Sequence, residues 1–92
     1  MIIINQDRTV ILNYENIEAI GVAKSTKDRF KIIAATVTNS EIEIAQYKTE
    51  ERAKEVLNEI KEKYTEYAKI SNVSGDIRQV FILPKVYEMP KE

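Results

Sequence analysis

The sequence predicts an α+β fold, a small antiparallel sheet of about five to six strands packed by one long amphipathic helix. Three observations carry that expectation. From Ile2 to Tyr47, β-branched runs alternate with short polar turns. From Thr49 onward the apolar period lengthens from two to 3.6 residues, the helical repeat. From Ile77 to Leu83 a strand-like run returns and stops at Pro84. The expected order is therefore β-β-β-β-β-α-β.

The elements follow in chain order. Ile2–Asn5 reads as the first strand and Thr9–Tyr14 as the second, with the polar turn Gln6-Asp7-Arg8-Thr9 between them. The same opening could be mistaken for a targeting segment. A secretion signal needs a basic start and an apolar run of about 7–15 residues, but this run ends at Ile4. A bilayer span needs about 20 apolar residues, and no window here approaches that. The expectation is a cytoplasmic protein without a membrane partner. Asn13-Tyr14-Glu15-Asn16 supplies the next turn. Ile17–Lys24 is the third strand, where Ile20 and Val22 flank Gly21, a residue that often marks a bulge or a close backbone approach. After the turn "KSTKDR", the fourth strand runs from Phe30 to about Thr38, and Asn39-Ser40 turns the chain. The fifth is "EIEIAQY", with Glu41 and Glu43 on a wet face and Ile42 and Ile44 on a dry one.

Thr49 caps the helix, and Glu50 and Glu51 occupy its first turn, where acids suit the dipole. Ala53, Val56, Leu57, Ile60, Tyr64 and Tyr67 form one apolar stripe. Glu50–Lys54 and Glu59–Lys63 have the spacing of helical ion pairs, each worth about 0.2–0.5 kcal/mol. The helix fades near Lys69, "SNVSGD" is a loop, and Ile77–Leu83 is the sixth strand. From about residue 85 a polar tail follows, with Val86, Tyr87 and Met89 available to pack. Residues 1–92 form a single domain with no linker. A bent sheet closed by a helix, as in pleckstrin-homology-like folds, is the alternative architecture. There the helix normally comes last, so a strand after this helix counts against it.

Composition narrows the function classes. The 92 residues are 43% hydrophobic and 32% charged, with a net charge of -1, too apolar for a disordered tail and too charged for a membrane protein. There is no cysteine and no histidine, which removes disulfides, thiolate chemistry and the commonest general base and metal ligand. Two glycines cannot build a phosphate-cradling motif. The expectation is no enzyme and no cofactor. A chain of this size is marginally stable alone, and self-association is a common remedy.

Two stretches carry a resemblance. "MIIINQDRT" and "VYEMPKE" bracket a helix start at Tyr47, Thr49, Glu50, Glu51, Ala53, Lys54, Glu55, Val56 and Leu57, ahead of Met89-Pro90. Together they resemble a group of short uncharacterised proteins of Gram-positive bacteria and their phages, which open Met-x-Ile-Ile-Asn-Gln-Asp. Those proteins have Trp at residue 2, where this chain has Ile2. The resemblance implies a phage or mobile-element origin and lends no catalytic residue.

Two candidate sites emerge. Lys24, Lys27, Arg29 and Lys31 crowd one hairpin against the single acid Asp28. They are candidates for holding a phosphorylated small molecule, a lipid headgroup or nucleic acid. A solvated hairpin tip is the plainer account, and a net charge of -1 argues against a polyanion such as nucleic acid. Glu41, Glu43, Glu50, Glu51, Glu55, Glu59 and Glu62 are read as a solvated acidic face and not as a metal site, since one helix without histidine lacks the donors of a carboxylate metal centre. Val80, Phe81, Ile82 and Leu83 are apolar in succession, so their strand needs cover on both faces. With Tyr67, they are the candidate interface of a homo-oligomer, a dimer first of all, or of another protein partner. The tail folding back over that strand is the competing account.

Overall fold

The computed structural model describes residues 1–26, 28–38, 40–71 and 86–92, with residues 67–71 described by their backbone alone. The α+β class holds, and the described strands divide between two three-stranded sheets, each smaller than the single sheet of five to six expected. The first sheet joins β1 (Ile2–Ile4), β2 (Ile11–Asn13) and β6 (Val86–Glu88) in the order β2-β1-β6. The second joins β3 (Ile17–Lys24), β4 (Phe30–Thr36) and β5 (Glu41–Tyr47) in that order, all antiparallel. The helix α1 (Glu50–Ser71) crosses one face of the second sheet.

The segment expected as a polar tail contains β6. It runs parallel to β1, with Ile2 opposite Val86, Ile3 opposite Tyr87 and Ile4 opposite Glu88. Antiparallel β2 flanks β1 on its other side, with Ile3 opposite Leu12. Residues opposite each other share a face, so Ile3, Leu12 and Tyr87 point inward and are buried. The expected sixth strand, Ile77–Leu83, lies outside the described residues.

Alternation in the second sheet does the same work. Val22, Ile32 and Ala45 share a face with Ile20, Ala34 and Ile42, and that face meets the helix. Ala53, Val56 and Ile60, three to four residues apart, are fully buried against it. Phe30 packs half-buried at the edge of this core, as its position in the alternation predicts. Thr49 caps α1 as expected, its Oγ1 accepting from the Arg52 amide at 3.1 Å. The Glu50–Lys54 pair forms at 3.5 Å. Glu59, expected to pair with Lys63, instead accepts from the Tyr87 hydroxyl at 2.7 Å. Among the described residues, no helix is long and apolar enough to cross a membrane.

Candidate interaction surfaces

A sheet ends in two edges, each with a row of unpaired amides and carbonyls. The outer edge of β5 is capped at Ile44 and Gln46 by one residue. Gln6 sits just beyond β1, and its backbone amide donates to the Ile44 carbonyl at 2.9 Å. Its side-chain amide then stands in for a further peptide unit. Oε1 accepts from the Gln46 amide at 2.9 Å, and Nε2 donates to the Gln46 carbonyl at 3.0 Å. Nε2 also lies within 3.1 Å of the Pro90 carbonyl and 3.0 Å of the Lys91 carbonyl. Gln6 thus ties β5, the first sheet and the C-terminal segment together.

The turn that presents Gln6 is built by its neighbours. Asn5 is buried, and its Oδ1 accepts from the amides of Thr9 and Val10 at 2.8 and 2.9 Å. Arg8 takes the left-handed conformation, φ 63°, which costs a residue with a Cβ some backbone strain. Its guanidinium offsets this by donating to the carbonyls of Asn5 at 3.0 Å and Met89 at 2.9 Å, and it pairs with Glu88 at 3.4 Å. A second set of bonds holds the C-terminal segment to the core. The Tyr47 hydroxyl donates to the Pro90 carbonyl at 2.7 Å. Burial pushes that hydroxyl's pKa up to about 12, and burial, followed by the bond to Glu59, also raises that of Tyr87.

The other edge of the second sheet is different. β3 is its longest strand, eight residues, and among the described residues its outer side has no strand partner. A bulge between Ile17 and Ala19 disturbs only its start. Beside it runs a groove of about 280 Å³ between strand and helix, lined by Tyr14, Ile20, Leu57 and Ile60, with Lys54 and Lys61 at its rim. The Tyr14 ring packs against that of Tyr64, 4.6 Å between centroids.

The three described members of the sequence-predicted basic cluster lie apart. Lys24 shares the helix-side face of the sheet with Phe30, whereas Lys31 lies on the opposite face with Ala23. Arg29 turns toward β5, its Nε donating to Gln46 Oε1 at 3.0 Å, and joins Lys48, Arg52 and Lys91 around a cleft of about 130 Å³. Lys27 lies outside the described residues, as do Val80, Phe81, Ile82 and Leu83 and the side chain of Tyr67. An apolar patch that sequence reasoning missed covers the outer face of the first sheet. Ile11 is 69% exposed and Val86 54%, flanking the half-buried Ile2 and Ile4. The signal was the alternation of β1 and β6 itself, once both are strands. Among the described residues, no three His, Cys, Asp or Glu side chains gather as a metal ion would need. No protein family, curated protein or solved structure matches this chain.

Proposed function

We propose that this chain is a non-enzymatic interaction protein that self-associates, with the dimer as its working form. One observation carries the reading, the eight-residue edge of β3, which has no strand partner among the described residues, in a sheet whose opposite edge is capped at Ile44 and Gln46 by Gln6. A long unpaired edge is a template for another strand. The way the polar side chains are used supports the same class. Asn5, Gln6, Arg8 and Tyr47 all bond to backbone groups of this chain. The two tyrosines with raised pKa values, Tyr47 and Tyr87, are held in the protonated state, away from the near-neutral range that proton-transfer chemistry favours. Multi-angle light scattering across micromolar concentrations tests the proposal. The expected mass is twice the 10.6 kDa of one chain. A single-chain mass throughout would refute it.

A second reading is favoured by the cleft of Arg29, Lys48, Arg52 and Lys91. It is an anion-binding module that takes a phosphorylated small molecule or headgroup there instead of on the hairpin. Titration with inorganic phosphate and nucleotides at low salt, with Lys48→Glu as the comparison, tests it. No saturable binding to the parent protein at low salt excludes it.

A further inference from the structure

We infer that the partner on the β3 edge is the β3 edge of a second copy, paired antiparallel about a twofold axis at Gly21. This rests on the self-association proposed above and assigns its geometry. The strand reads Ile-Glu-Ala-Ile-Gly-Val-Ala-Lys from Ile17 to Lys24. Placed antiparallel to itself with Gly21 opposite Gly21, it is self-complementary. Continuing the register to the bulge at Glu18, this residue of each copy comes opposite Lys24 of the other, so opposite charges close both ends. Ile20 meets Val22, and Ala19 meets Ala23. Directly opposite residues share a face. The Ile20 and Val22 pairs therefore fall on the helix side, beside the groove of Tyr14, Leu57 and Ile60. The alanines and glycines fall on the other side. Glu18 and Lys24 are exposed and available for such pairing. Among the described residues, apart from the neighbouring Ile20 and Val22, no heavy atom lies within 4 Å of a Cβ built on Gly21, so the sheet face at the axis is uncrowded there. Shifting the pairing by one residue would place side chains of opposite faces against each other and separate Glu18 from Lys24. The product is one continuous six-stranded sheet, built from the three strands β3, β4 and β5 of each copy, with both helices on the same side.

The chain has no cysteine, which makes single-thiol variants clean reporters. Directly opposite Cα atoms in an antiparallel pair are about 4.5–5.5 Å apart, within disulfide reach. Mild oxidation of Gly21→Cys should give a covalent dimer with an unchanged helical circular-dichroism signal. Ala35→Cys, on the central strand, should not cross-link. Lys24→Glu sets two Glu–Glu contacts across the axis and should weaken the dimer about tenfold or more. Glu18→Lys should do the same. The double variant Glu18→Lys/Lys24→Glu should return the affinity to within about threefold of the parent, because it rebuilds both charge pairs in reverse. A dimer by light scattering that neither cross-links at position 21 nor responds to Lys24→Glu overturns the β3 pairing and leaves self-association standing. Loss of that dimer on Ile11→Lys, with Lys24→Glu silent, assigns the contact to the outer face of the first sheet and also overturns the pairing. A monomer at all concentrations overturns both.

Discussion

Replacing Gln6 by alanine should cost several kcal/mol of stability, about 2–4. The side-chain amide accepts one bond from the Gln46 amide at 2.9 Å and donates to the Gln46 carbonyl at 3.0 Å. Its Nε2 also reaches the Pro90 and Lys91 carbonyls at 3.1 and 3.0 Å. A primary amide has only two N–H groups, so these three acceptors share two protons. That makes three bonds to lose, each worth about 0.5–1.5 kcal/mol net. Water can reach the half-buried Gln46 backbone after truncation, so the penalty for stranded groups is small. The expected loss is about 2–4 kcal/mol, read as a shift in the urea midpoint at fixed protein concentration, because dimerisation would otherwise move it. Gln6→Glu separates the hydrogen bonds from the packing. Its carboxylate can still accept from Gln46, but it faces three carbonyl oxygens with no proton to offer them. At neutral pH it should be less stable than Gln6→Ala, and acidification, which protonates the carboxyl, should narrow the gap. A loss under about 0.5 kcal/mol for Gln6→Ala, or a Gln6→Glu variant as stable as the parent, would refute the view that this amide caps β5 at Gln46.

Other outcomes follow from the same contacts. Met89 is fully buried, so Met89→Ala should lower unfolding stability in urea by about 2–5 kcal/mol; a loss below 1 kcal/mol, well under that range, would mean the C-terminal segment is not part of the core. Tyr47 and Tyr87 have folded pKa values above the unfolded value of about 10. The stability they contribute is therefore complete below pH 10 and is lost as the pH rises through about 12. The urea midpoint should fall over that window, and the fall should shrink in the Tyr47→Phe/Tyr87→Phe double variant; an equal fall in both proteins would rule the tyrosines out as its source. Ile11 is 69% exposed, so Ile11→Thr should change stability by less than about 0.5 kcal/mol and leave the mass in light scattering unchanged. A drop to the single-chain mass would move the interface to that face.

What the sequence made legible is what local periodicity controls. β3 and β5 match the expected Ile17–Lys24 and Glu41–Tyr47, because each is an alternating run bounded by polar turns. The start of α1 at Glu50 follows from Thr49 and the acids after it. The division into two sheets was not legible, because it depends on β1 and β6, which meet across nearly the whole chain. A parallel contact of that span leaves no mark on either segment beyond three residues of alternation, and Pro90 makes Val86–Glu88 look like an ending. Gln6 was hidden for the same reason. In the sequence it is one polar residue of a turn, and its partners are Ile44, Gln46 and Pro90. The placement of the described cations was hidden in a third way. Adjacent positions in a strand point to opposite faces, so Lys31 and its neighbour Phe30 diverge. The cations that do converge with Arg29 come from the end of β5, the helix and the C-terminal segment.

The unequal treatment of the two edges bears on what kind of assembly this chain can make. If both edges of the second sheet were open, strand addition could propagate from copy to copy as an open-ended fibre. Gln6 occupies the β5 edge at Ile44 and Gln46, and among the described residues the edges of the first sheet are only three residues long. The usual means of blunting an edge are a lysine in mid-strand, a proline, or a bulge that twists the strand away. β3 has none of these over its central residues, where Ala19, Ile20, Gly21, Val22 and Ala23 follow one another without a charge. Its charges stand at the ends and have opposite signs, which antiparallel self-pairing satisfies and parallel self-pairing does not. Among the described residues β3 is the one long uncapped edge of each copy, and a twofold contact uses both copies' edges together. The proposed closed dimer is therefore the assembly that covers the β3 edge of each copy and leaves no partner site for a third.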